Sequence, residues 1–121
     1  MAKNNSLGIL GEELAVKHLR KAGYEILAEN YTHQRAEVDI IARTGDTLVI
    51  VEVKTRSNPN FGLPQEFVKP SQIKQLLKAA DFYINDNNLD EVKARFDIIA
   101  IVLNKEGVKL EHLENAFYHF Q

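Results

Sequence analysis

Apolar residues recur at helical spacing from Ser6 to Ala22. Leu7, Leu10, Gly11, Leu14, Ala15, Leu19 and Ala22 fall on one side at about 100° per residue. The pattern predicts an amphipathic helix ended by Gly23. Glu12 borders its apolar stripe beside Ala15 and Leu19, whereas Glu13 lies on the polar side. Tyr24 to Asn30 predicts a first strand. Ala36 to Arg43 alternates, with Val38, Ile40 and Ala42 on one face and Glu37, Asp39 and Ile41 on the other. In Thr47 to Thr55 the core Leu-Val-Ile-Val-Glu-Val is almost continuously apolar, which predicts a central strand covered on both faces. A loop with Pro59, Gly62 and Pro64 leads to a second helix over Pro70 to Ile84. Pro70 suits its first turn, and Ile73, Leu76, Leu77, Ala80 and Ile84 form its stripe before Asn85-Asp86-Asn87-Asn88 stops it. Phe96 to Leu103 predicts a buried strand, delivered parallel to the third by the helical crossover. A turn at Asn104 to Gly107 precedes a short strand near Val108 to Leu113. The fold class is therefore α/β, one domain with a mixed sheet flanked by helices in the order αβββαββ.

The turn between the second and third strands fixes their register. Thr44-Gly45-Asp46-Thr47 puts glycine first in a two-residue loop, as a type II′ hairpin requires. Opposed residues then have numbers summing to 91, so Asp39 faces Glu52 and Glu37 faces Lys54. Opposed Cβ atoms lie about 4.5–5.5 Å apart, and a slip of one residue would send Asp39 and Glu52 to opposite faces.

Glu52 and Lys54 are out of place at the end of a strand otherwise made of Leu, Val and Ile. Charges beside a packed core are costly unless they are paired or bind metal. Two converging carboxylates, Asp39 and Glu52, suit a hard oxygen-seeking cation such as Mg²⁺, and Lys54 adds a charge that meets a phosphate or orients water. Together they supply the parts for metal-assisted phosphodiester hydrolysis. The plain alternative is that Lys54 pairs with Glu37 or Glu52 across the strands.

Composition narrows the remaining chemistry. With 121 residues there is room for one core, and 45% hydrophobic and 26% charged residues are ordinary for a globular protein. The chain has no cysteine, which excludes disulfides, thiol catalysis and thiolate zinc sites. No apolar run is long enough to span a membrane, and Glu12 and Glu13 interrupt any signal-peptide core; both fit a cytoplasmic location. A net charge of −2 argues against coating nucleic acid by bulk charge. The charge is nevertheless uneven: residues 1–80 hold 11 Lys and Arg against 9 Asp and Glu, and residues 81–121 hold 4 against 8. His18, His33, His112 and His119 show no zinc-ligand spacing, and His18 reads as a satisfied core residue. Glycine spacing matches no phosphate-binding loop. The ions of Arg95-Phe96-Asp97 read as a structural pair, and Phe117, Tyr118 and Phe120 as cover for the sheet edge rather than base-stacking groups.

Taken in order, several segments resemble one family. They are Gly11-Glu12 with Ala15, Glu37-Val38-Asp39-Ile40-Ile41-Ala42, Val51-Glu52-Val53-Lys54-Thr55-Arg56, Arg95-Phe96-Asp97 and Asn115-Ala116-Phe117. The chain is similar, over nearly its whole length, to the YraN-like group of bacterial proteins. That group is a branch of the PD-(D/E)XK, or restriction-endonuclease-like, superfamily related to Holliday-junction resolvases. The resemblance implies a restriction-endonuclease-like fold and a Mg²⁺-dependent endonuclease acting on DNA, branched or damaged DNA included, with Mn²⁺ as a substitute ion. It implies that Asp39 and Glu52 hold the metal with the Val53 carbonyl as a further ligand. Lys54 would be the motif lysine and Glu12 the acidic residue that completes the site. Arg56 and Lys74 are candidate substrate contacts from the local basic stretch Lys54, Arg56, Lys69, Lys74 and Lys78, which stands against Glu66 alone and suits a phosphate backbone. Val38 stands where the superfamily name has proline, Ala36 where a glycine is frequent, and Gln72 where a basic residue is frequent.

Fold alone does not separate an enzyme from its relatives. A non-catalytic nucleic-acid-binding module or adaptor is the alternative, and a structural partner subunit a third reading. The intact Asp39, Glu52 and Lys54 favour the enzyme. The expected partner is DNA, no membrane is expected, and monomer or homodimer is left open.

Overall fold

The structure is a computed structural model that describes residues 6–59, 68–89 and 91–116. Its elements are α1 (Ser6–Lys21), β1 (Glu25–His33), β2 (Ala36–Thr44), β3 (Thr47–Arg56), α2 (Pro70–Asp86), β4 (Lys93–Asn104) and β5 (Gly107–Leu113). The order is αβββαββ, as the periodicity predicts. One sheet runs β1-β2-β3-β4-β5, antiparallel throughout except for the parallel pair β3 and β4 that α2 connects. β3 is thus central, which explains its continuous apolar run.

Each helix covers one face. Ala15, Val16 and Leu19 of α1 pack on Ile40, Ala42, Val49, Val51, Ile99 and Ile101. Ile73, Leu76, Ala79 and Ala80 of α2 pack on the other face against Val38, Ile41, Leu48, Ile50, Phe96 and Ile98. Gly23 takes φ +95° and closes α1 with a Schellman pair: its N–H donates to Arg20 O (3.0 Å), and that of Tyr24 to Leu19 O (2.9 Å). Pro70 opens α2 where a missing N–H costs nothing. Gly62 and Pro64 of the preceding loop, and Phe117, Tyr118, His119 and Phe120, lie outside the described residues.

Two local expectations are corrected at a single level of the sheet. β1 does not end at Asn30 but continues to His33. Asn30 takes φ +53°, a left-handed conformation that asparagine tolerates better than most residues, and the β1–β2 ladder steps over it from Glu29↔Ile40 to Tyr31↔Val38. Across from it, β2 changes face at Asp39. Val38 packs beneath α2 with Ile41, whereas Ile40 and Ala42 pack beneath α1, so these three do not share a face. Strict alternation therefore fails at Asp39, the position opposite Asn30.

Asp97, 0% exposed, is the ionic centre of the α1 side. Arg95 grips it with two N–H donors, Nε to Oδ1 and Nη2 to Oδ2, both at 2.9 Å. The Asn115 N–H donates to Oδ1 at 3.0 Å, and His112 Nε2 lies 2.7 Å from Oδ2. His112 Nδ1 meets His18 Nε2 at 3.1 Å, and Arg95 Nη2 also donates to the Tyr24 hydroxyl at 2.8 Å. Arg95 and Asp97 are the structural pair expected from the sequence, within a larger network. His18 is partly buried and bonded to His112 rather than enclosed in the core. Burial pushes the Asp97 carboxyl up, but hydrogen bonds from His112, Arg95 and Asn115 outweigh it and hold the group below its ordinary value.

Breaking a buried pair by removing one partner costs about 3–5 kcal/mol. Asp97→Asn is expected to lose that much in urea unfolding at pH 7, and a loss below about 1 kcal/mol would reduce the network to the level of a surface pair. The folded value is lowered, so the contribution is present above the ordinary 3.8 and fades as pH falls through the folded value. The gap between wild type and Asp97→Asn should therefore narrow in acid.

Candidate functional site

β3 leaves the core at Glu52. Leu48 to Val51 are buried and apolar, Glu52 is still only 8% exposed, and Val53 to Arg56 are partly buried. The hairpin register is the expected one: Thr44↔Thr47, Arg43↔Leu48, Ala42↔Val49, Ile41↔Ile50 and Ile40↔Val51. Gly45 supplies φ +61° at the first loop position. The ladder then stops one pair short of the carboxylates. Asp39 Oδ2 accepts the N–H of Val53 at 2.8 Å, so a side chain takes the place of a backbone acceptor where the strands part. Asp39 and Glu52 are therefore neighbours at a widening gap rather than a ladder pair. Lys54 does not pair with Glu37, which is exposed. Its Nζ lies 3.3 Å from Oε2 of Glu52 on its own strand, one of the two pairings considered above.

Both helices contribute. Gln72, in the first turn of α2, donates from Nε2 to Glu52 Oε2 at 3.4 Å. From the other side Glu12 of α1 comes close enough to Asp39 for each to feel the other's charge. Gly11 makes that approach feasible: a β-carbon at this position would overlap the side chain of Thr55, so only glycine lets α1 lie so close to the end of β3. A glycine inside a helix costs about 1 kcal/mol relative to alanine, and here a close contact accounts for it. Glu37, Asp39, Glu52 and Gln72, with Arg35 and Gln75, line a cleft of about 280 Å³ that opens on the α2 side.

The electrostatics run opposite to those at Asp97. Glu12 is raised to about 7, first by burial and then by the charges of Asp39 and Glu37. Glu52 is also raised to about 7, by burial and by Asp39, and Lys54 and Gln72 offset this only in part. Asp39 is raised too, mainly by burial, despite the Val53 N–H. Burial leads in all three, and like-charge crowding is the second cause.

Among the described residues no group of three or more Asp, Glu, His or Cys is arranged to hold a metal ion. The site offers two carboxylates, and Mg²⁺ is usually held by one or two carboxylates with the remaining positions taken by water and substrate oxygens. Buried carboxylates with too little positive charge nearby fit such an ion. Of the other sequence candidates, Arg56 ends β3 with Nη1 donating to the Thr55 carbonyl at 3.0 Å. Lys74 is exposed on α2, where the cleft wall is instead Gln72, Gln75 and Leu76. Arg35 and Gln75 were not singled out by sequence. Gln72 was, as a departure from a basic position, and it turns out to hold Glu52.

A helix on each face of a five-stranded mixed sheet, with two carboxylates and a lysine where the central strand leaves the core, defines the structural class. The model of uncharacterised protein family UPF0102 matches residues 11–101, and the chain belongs to that family. It is 59% identical over 120 residues to a UPF0102 protein of Christiangramia forsetii, covering 99% of this chain and 100% of the relative. A UPF0102 protein of Flavobacterium psychrophilum is 54% identical over 99% of this chain and 100% of its own length. One from Geobacter sulfurreducens is 44% identical over 94% of this chain and 90% of its own.

Glu52→Gln tests the charge deficit. A carboxyl raised in the folded state stabilises fully below its unfolded value of 4.5 and loses that contribution as pH rises through about 7. Glutamine fixes the neutral form. In chelator, the melting temperature of Glu52→Gln relative to wild type should therefore rise between pH 5 and pH 8.5. A constant difference would mean that Glu52 ionises without strain.

Proposed function

We propose that this protein is a Mg²⁺-dependent endonuclease that hydrolyses phosphodiester bonds in DNA, with branched or damaged DNA as its substrate class. The observation that carries the reading is the pair of neighbouring carboxylates, Glu52 buried and Asp39 partly buried, both raised and set beside Lys54 where β3 leaves the core. Perturbed groups of this kind in a cleft mark functional sites. The family resemblance of the Glu37–Ala42 and Val51–Arg56 segments to PD-(D/E)XK nucleases supports the same conclusion.

On this reading Asp39 and Glu52 hold the ion. In an extended strand the N–H and C=O of one residue point to the same side. The Val53 N–H points at Asp39, so its carbonyl faces the same gap and is available as a third oxygen. The bound ion, Mg²⁺ or Mn²⁺ in its place, would lower the pKa of a water and offset the charge of the phosphate. Lys54, one contact away from Glu52, places a positive charge where the transition state gains negative charge. Glu12 adds a third acidic group next to Asp39 and completes the acidic side of the site. Arg56 and Lys74 are assigned to substrate contact outside the reacting centre. No helix among the described residues is long and apolar enough to cross a membrane, and we place the protein in the cytoplasm with DNA.

The test is single-turnover cleavage of branched, single-stranded and duplex DNA with and without Mg²⁺. Lys54→Ala is expected to slow cleavage about 100- to 1,000-fold, equivalent to about 2.7–4 kcal/mol, with its melt nearly unchanged. Asp39→Asn should lose cleavage and Mg²⁺-dependent thermal stabilisation together. Cleavage undiminished in Lys54→Ala would remove that lysine from catalysis. Binding without cleavage of any substrate, in either ion, would return the adaptor reading.

A further inference from the structure

We propose that the face of α2 beside the β1–β2 turn is a track for an unpaired DNA strand leading away from Asp39 and Glu52. This inference rests on the DNA-directed function proposed above. Gln72, Gln75, Lys78 and Phe82 follow one another at intervals of three, three and four residues, so they form one stripe along α2. The stripe starts at the candidate site, where Gln72 donates to Glu52. Opposite its far half stands the turn His33-Gln34-Arg35-Ala36, in which Gln34 takes φ +56°. A second cleft of about 230 Å³ lies between this turn and Gln75 and Lys78, and it shares Arg35, Ala36 and Gln75 with the first. The two clefts form one continuous groove.

The groups along the groove match the parts of a single strand. Arg35 and Lys78 are exposed and form no ion pair among the described residues, which leaves both free for phosphates. The Gln75 amide offers both a donor and an acceptor to a base edge. At the end, the His33 ring stacks on Phe82 with centroids 4.0 Å apart and planes 19° from parallel. Phe82 remains 44% exposed, an unusual exposure for a large apolar ring and one that suits a base laid flat on it. Bases in a duplex are already stacked on each other, so this platform selects an unpaired strand. From Gln72 to Phe82 the helix rises about 15 Å, enough to follow a short stretch of single strand. Glu37 is the exposed acidic residue on the groove wall, next to Asp39 and Glu52, and opposes binding.

The experiment is fluorescence anisotropy of a labelled oligodeoxythymidine, titrated in chelator so that binding is read without cleavage, with a duplex for comparison. Wild type is expected to prefer the single strand. Phe82→Leu keeps apolar cover on β1 but removes the platform, and should weaken single-strand binding about 5- to 150-fold. Lys78→Ala and Arg35→Ala, exposed changes that spare the core, should each reduce the salt slope by about 0.7, and Glu37→Gln should tighten binding. Wild type without single-strand preference, or Phe82→Leu and both cation variants binding like wild type, would overturn the track. Cleavage lost in Lys54→Ala but indifferent to these variants would leave the nuclease standing without the track. This binding pattern in a protein that never cleaves would leave the track standing without the nuclease.

Discussion

The hydrogen bond from the Val53 N–H to Asp39 joins the fold to its candidate chemistry. The Gly45-Asp46 turn sets a register that holds for five pairs and supplies backbone partners as far as Ile40↔Val51. Beyond that point β2 has kinked, and Val53 would lose its acceptor on this side. An unmet buried N–H costs about 1–3 kcal/mol, and the Asp39 carboxylate removes that cost. Its orientation is fixed in the same step, beside Glu52 and within reach of Glu12 from α1. A slip of one residue in the turn would undo all three relationships.

Two buried acidic centres in one small sheet reach opposite solutions. Asp97 receives a two-pronged arginine, a histidine and a backbone N–H, and its carboxyl is held down. Asp39 and Glu52 share one lysine, one backbone N–H and one amide, and their carboxyls are pushed up. A compensated charge anchors structure, here tying α1, β4, β5 and Asn115 together. An under-compensated pair favours the folded state less at neutral pH, a cost that a purely structural site would avoid.

Elements were legible in the sequence wherever apolar periodicity alone determined them: both helices, β3, and the β2–β3 register that followed from a single glycine. Misreadings came where one residue broke the period. Asn30 looked like the end of a strand because nothing in sequence shows that a left-handed residue can kink a strand without ending it. The Val38 face was wrong for the same reason. At the site, Asp39, Glu52 and Lys54 were visible as charges out of place in an apolar run. Gly11 was visible in the helical stripe and in the Gly11-Glu12 segment, but its physical reason was not, since that is a contact with Thr55, 44 positions away in sequence. The partner of Gln72 was equally hidden, because a long connection separates it from Glu52.

The two helices also decide from which side the site is reached. On the α1 side, the approach permitted by Gly11 presses the helix onto the end of β3, and Glu12 fills the space next to Asp39. On the α2 side, the Gln72 amide reaches Glu52, and the cleft beside it is open and lined by Arg35 and Gln75. On the function proposed above, a phosphate would reach Asp39 and Glu52 through this cleft along α2. Arg35 and Lys78, on that route, form no ion pair among the described residues, whereas Arg95 on the opposite face is engaged with Asp97 and Glu114. Packing that closes one side of the sheet and leaves the other polar thus sets the direction of approach.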